Sequence, residues 1–214
     1  MIESLKRSDM VMIDGERKGP IYEEVEESLN GFSQLEELYG VVLDPVLVHS
    51  HVRYSELGTH WHKAGSSVGA GGEFVLRELV GAVMSGPPDS GSVSRDDERE
   101  LFNQLRVIDY QPESGVIAFT AVRISGSIIS PRVWTYRFPY GLFELDLDYP
   151  GYLEKLLLTK GFHGWQFLYA DVRLADMKYA PLVQLIRTGV DFLKEALPDP
   201  HYAELHTKLA ERLK

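Results

Sequence analysis

Cysteine is missing from all 214 residues. That removes disulfides, a thiol nucleophile and every thiolate-held zinc or iron–sulfur site, so a metal would need His, Asp or Glu ligands. Long apolar runs are missing as well. No stretch approaches the roughly 20 residues that span a bilayer, and no membrane partner is expected. The opening MIESLKRSDM has neither the apolar stretch nor the small-residue cleavage site of a secretory leader. The expected location is therefore cytoplasmic. Positive charge is scarce: 22 Lys and Arg stand against 32 Asp and Glu, a formal net charge of -10. A phosphate backbone attracts clustered Lys and Arg, so nucleic acid is not an expected partner. A basic partner would instead be steered toward this surface. The short catalytic signatures H-E-x-x-H and G-x-x-x-x-G-K-[ST] do not occur.

What is present is an ordinary globular composition, 44% hydrophobic and 25% charged. Residues 1–20 read as a short strand or arm. Residues 23–40 read as a helix, with Leu29, Phe32, Leu35 and Leu38 as its apolar stripe, glutamates near its start and Gly40 as its stop. A glycine-rich connection at 65–72 leads to EFVLRELVGAVM, residues 73–84, which has helical composition. Ser94 is placed to cap a helix over 95–105. The chain then turns to strands. Residues 115–124 are apolar on both faces, and 127–138 carries Pro131, which implies an edge or a bulge. In 142–148 the residues Phe143, Leu145 and Leu147 alternate with Glu144, Asp146 and Asp148. Helices follow at 152–158, 181–197 and 201–214, with Asp199-Pro200 opening the last. This order indicates a single α+β domain over 1–214, a central antiparallel or mixed sheet with flanking helices, and C-terminal helices at 179–214 packed on it. The acidic strand face of Glu144, Asp146 and Asp148 is a candidate partner-binding surface, unless Arg123 or Arg137 on neighbouring strands answers it.

The run FELDLDYPGYLEKLLLTKGFHGWQFLYADV, residues 143–172, resembles segments of the SUKH superfamily, which relates fungal cell-wall-synthesis regulators to bacterial immunity proteins. The matching positions include Tyr149, Tyr152, Leu156, Gly164, Trp165 and Gln166. Upstream, LEELYGVVLDP, residues 35–45, is similar to the family's early helix ending. Gly58 stands alone where an Asn-Gly-Gly is usual. The resemblance implies an α+β domain that binds a protein partner and has neither catalytic residues nor a cofactor. Bacterial members often neutralise a toxin, frequently a nuclease, and a basic toxin would suit an acidic chain.

A second reading is enzymatic. HSHVRYSE, residues 49–56, has the form H-x-H-x-x-x-x-E of the first cupin metal motif, in which His49, His51 and Glu56 would be ligands. A cupin would need a second motif, and none of His163, His201 and His206 stands in a P-x-G-x-x-H context. Local structure decides between the readings. On a strand His49 and His51 would share a face; on a helix they would lie about 200° apart and could not hold one ion. Period-two valines favour a strand over 45–57. Asp44-Pro45 as a helix start, Gly58 as its stop and the family pattern favour a helix. The second pair, His60 and His62, reads as part of a loop around Trp61.

Overall fold

A computed structural model describes every residue except 23, 24, 67, 68, 90–95, 198 and 200. Its strands are β1 (Val11–Lys18), β2 (Val42–Leu43), β3 (Glu56–Lys63), β4 (Gly71–Arg77), β5 (Leu105–Tyr110), β6 (Ala118–Ser125), β7 (Ile128–Arg137) and β8 (Gly141–Asp148). They form one sheet in the order β1-β3-β4-β5-β6-β7-β2, with β8 also on β7. The short β2 runs parallel to β7; the other pairings are antiparallel. The helices are α1 (Ile2–Lys6), α2 (Val25–Tyr39), α3 (Pro45–Ser50), α4 (Leu79–Met84), α5 (Asp96–Asn103), α6 (Tyr149–Thr159), α7 (Ala180–Ala196) and α8 (Tyr202–Arg212). This is an α+β architecture with a mixed sheet and flanking helices. No helix among the described residues is long and apolar enough to cross a membrane.

Capping chemistry sets several helix ends. The Asp44 carboxylate accepts the Val46 N–H at 2.9 Å, with Pro45 in the first turn, so residues 45–50 become a helix. Asp148 does the same for α6 through the Gly151 N–H at 2.9 Å. Such a cap contributes about 1 kcal/mol. At the end of α2, Gly40 has φ +63°, a conformation glycine adopts without steric cost, and its N–H returns to the Glu36 carbonyl at 3.0 Å. The proposed cap residue Ser94, Glu23, Glu24 and Pro200 lie outside the described residues. Asp199 accepts the His201 N–H at 2.9 Å just ahead of α8.

One apolar cluster draws on residues from Leu5 to Leu209. Trp61 and Phe74 from the sheet, Trp165 from a short 3-10 turn (Trp165–Leu168), Ile186 and Leu193 from α7, and Leu205 from α8 are all fully or nearly fully buried in it. Each such side chain contributes roughly 1.5–3 kcal/mol by leaving water.

Several elements differ from the sequence reading. Residues 73–84, of helical composition, are a strand to Arg77 and then α4. Phe74, Val75 and Leu76 are buried together in a strand paired on both edges, and such a strand shows a continuous apolar run in place of alternation. Gly58 does not stop a helix. It lies inside β3, where an added Cβ would meet the Phe74 carbonyl oxygen at 2.4 Å. In α2 the stripe is narrower than expected, with Leu35 buried and Leu38 69% exposed. Residues 1–20 hold both α1 and β1. Pro131 marks a bulge: the β6–β7 register shifts there, between the pairs Val122–Val133 and Arg123–Ser130.

Candidate functional site

The first histidine pair is used locally. His49 is in the last turn of α3, its Nδ1 2.6 Å from the Pro45 carbonyl oxygen. His51 caps that helix, its Nδ1 2.8 Å from the Val48 carbonyl oxygen and its ring edge-on to Phe32. Glu56 is on β3, ion-paired to Arg17 at 3.3 Å and accepting a hydrogen bond from the Tyr110 hydroxyl at 3.3 Å. The structure does not bring His49, His51 and Glu56 together. Among the described residues, no group of three or more His, Asp or Glu is placed to hold a metal ion.

The acidic strand face is partly committed as well. Asp148 caps α6. Glu144 lies 4.0 Å from Arg132, which takes the place expected of Arg123 or Arg137. Asp146 is exposed. Glu144, Asp146 and Asp171 line a cleft of about 360 Å³ with two cations, Arg132 and Arg212. Arg212 is itself bound to the Ala170 and Val172 carbonyls.

The second histidine pair is where charged groups converge. Residues 56–63 are a strand and not a loop, so His60 and His62 point to one face and Trp61 to the other. Trp61 is fully buried, stacks on Phe192 and donates its indole N–H to the Lys160 carbonyl at 2.8 Å. This anchor fixes the two imidazoles on the opposite side. β1 supplies their acid. A register shift between Ile13 and Gly15 sets Asp14 outside the ladder. Asp14 Oδ2 lies 2.6 Å from His62 Nδ1 and 3.4 Å from His60 Nδ1. The Asp14 contact fixes the orientation of the His62 ring and turns Nε2 away from that carboxylate.

Glu73 stands opposite His60 across β3 and β4. It is 1% exposed, and its two oxygens accept the N–H groups of Glu113 at 2.7 Å and Ser114 at 2.8 Å. That buried carboxylate fixes the loop after β5, and the loop places Glu113 on Arg17 at 2.7 Å. Two adjoining clefts of about 400 and 410 Å³ share Asp14, His60 and Glu113. In the first, Asp14, Glu16, Glu73 and Glu113 set four carboxylates against one guanidinium, that of Arg17. Lys6 reaches Glu16 from outside at 2.9 Å. His163 lines the second cleft, 6.5 Å from the His60 ring. Burial lowers its pKa to about 4, helped by the charge of Arg137 and by His60. Chemically, the site attracts cations and offers an oriented imidazole beside them.

The spacing of His60 and His62 was visible in the sequence and would have marked the site once the segment was read as a strand. Asp14, Glu73, Glu113 and His163 carry no local signal; only the sheet register unites them.

No family model, curated protein or solved structure matches the chain.

Proposed function

We propose that this chain is a non-enzymatic protein-binding domain that receives a basic partner protein in the cleft between β1, β3 and the loop after β5. The observation that carries the proposal is the concave set of Asp14, Glu16, Glu73 and Glu113 around one arginine. A cleft lined by one sign of charge concentrates field lines and raises the association rate of an oppositely charged partner. The formal net charge of -10 acts in the same direction. A lysine or arginine of the partner entering the cleft would meet carboxylates already fixed by the fold. The resemblance to the SUKH superfamily supports the same class of function, and in that reading the partner is a basic toxin neutralised by direct binding. Between the two acidic surfaces, the β1–β3 cleft is the better candidate, because the β8 cleft carries two arginines of its own.

The test is a titration with an octalysine peptide at about 20 mM and about 300 mM salt, where exposed charges are screened to very different degrees. Saturable binding at low salt is expected. It should weaken about fivefold in Glu113→Gln, the loss of roughly one exposed charge interaction, and stay unchanged in Glu144→Gln. Equal weakening by both substitutions would mean attraction to the overall charge and would sink the assignment of the cleft.

A further inference from the structure

A cleft of about 500 Å³ between α1, β3 and α6 differs in character from the acidic ones. It shares Glu16 with the first of them and no other residue. Its walls are mostly aliphatic: Leu57 on β3 and Leu76 on β4 line it together with Leu153, Leu156 and Leu157 on α6. Leu76 and Leu156 are buried. Leu153 is only half-buried and Leu157 is 52% exposed. These two lie four residues apart, on one face of α6. The helix therefore leaves a pair of leucines uncovered beside a concave apolar surface, and an apolar ligand gains by displacing the water over them.

The charges at this cleft are Glu3, Lys6, Glu16 and Lys18. Lys6 lies 3.2 Å from Glu3 and 2.9 Å from Glu16, so one ammonium answers both carboxylates. Lys18 is different. Among the described residues no carboxylate lies within ion-pair distance of it. Its Nζ stands over the Tyr54 ring, 5.5 Å from the centroid, and Tyr54 lines the same cleft. A ring face orients an ammonium without neutralising it. The cation left over at this aliphatic cleft is therefore Lys18, and the head group it complements is an anion. The formal net charge of -10 opposes any anion at long range, but salt screens that repulsion beyond about 8 Å, whereas Lys18 would act in contact.

We propose that this cleft binds one free amphipathic carboxylate of medium chain length, its tail over Leu57, Leu153 and Leu157 and its head on the Lys18 ammonium. A mostly apolar cleft of a few hundred Å³ with a single polar group to fix orientation is the ordinary form of a small-molecule site. The site needs no partner protein and does not rest on the reading of the β1–β3 cleft.

The probes are octanoate, decanoate and decyltrimethylammonium, each titrated calorimetrically below its micelle concentration. Decanoate is expected to saturate at one per chain and to bind about tenfold tighter than octanoate, at roughly fourfold for each added methylene. Decyltrimethylammonium, with the same tail and the opposite charge, should bind more weakly than decanoate. Lys18→Gln should weaken decanoate about threefold and leave decyltrimethylammonium no weaker than before. Leu157→Asp should weaken both ten-carbon ligands more than tenfold. Both substitutions change exposed side chains, and an unchanged thermal unfolding temperature confirms that each variant is folded. No saturation by decanoate, equal affinity for the two carboxylates, tighter binding of decyltrimethylammonium than of decanoate, or decanoate binding that either substitution leaves untouched would each overturn the proposal.

Discussion

Replacing Asp109 by asparagine should change how stability depends on pH. Asp109 is 2% exposed, and burial is the chief cause that lifts its pKa from 3.8 to about 7. The folded chain thus holds this proton more tightly than the unfolded chain. Stability that is complete below the unfolded value is lost as pH rises toward the folded one. At about 1.36 kcal/mol for each pH unit between those two values, the loss amounts to about 4 kcal/mol. His163 works in the opposite sense. Its folded pKa is near 4 against an ordinary 6.5, so its neutral form stabilises the fold at neutral pH and that stability is lost as pH falls. Over the shared window the two largely cancel in wild type. The amide introduced by Asp109→Asn would keep the acceptor for the Val75 N–H and offer a donor to the Tyr152 oxygen, with no charge to bury. The stability of Asp109→Asn minus that of wild type should therefore grow by about 4 kcal/mol between about pH 4 and pH 8. Urea unfolding across that range measures it. A difference that stays flat, or that falls as pH rises, would refute the reasoning.

Three further outcomes follow from packing. Gly58→Ala places a Cβ 2.4 Å from the Phe74 carbonyl oxygen inside the sheet, and should cost about 2–4 kcal/mol in denaturant unfolding. Glu73→Ala leaves the Glu113 and Ser114 N–H groups without their acceptor, which should cost about 2–5 kcal/mol and speed hydrogen exchange at those two amides above all others. In α2, Leu35→Ala should cost about 2–5 kcal/mol while Leu38→Ala stays within about 0.5 kcal/mol, because Leu38 is largely exposed.

Local chemistry was legible in the sequence. Asp44-Pro45 announced α3, Gly40 the end of α2, and the alternation of Phe143, Leu145 and Leu147 the strand β8. Leu182, Leu185, Ile186, Leu193 and Leu197 recur at helical spacing; Leu182, Ile186 and Leu193 lie buried on α7, Leu185 is half-buried, and Leu197 is buried just past the helix end. What sequence reasoning missed is non-local. β4 is covered on both faces and lost the period-two pattern that marks a half-buried strand. β5 lies next to it and gave no separate signal. The strand that carries His60 and His62 holds glycine at 58 with another at 65 just beyond it, which masks its alternation. The acid that completes their site, Asp14, is 48 residues away from His62 and reaches it only through the β1–β3 pairing. Glu73 gave no sign that its side chain would organise a loop 40 residues downstream.

The most direct test of the binding account is a map of backbone amide shifts while octalysine is added to the isotope-labelled protein. The account expects the shifts to concentrate on residues 14–17, 59–62 and 113–114, the lining of the β1–β3 cleft. Shifts centred on 144–148 and 171, or spread evenly over the acidic surface, would contradict it.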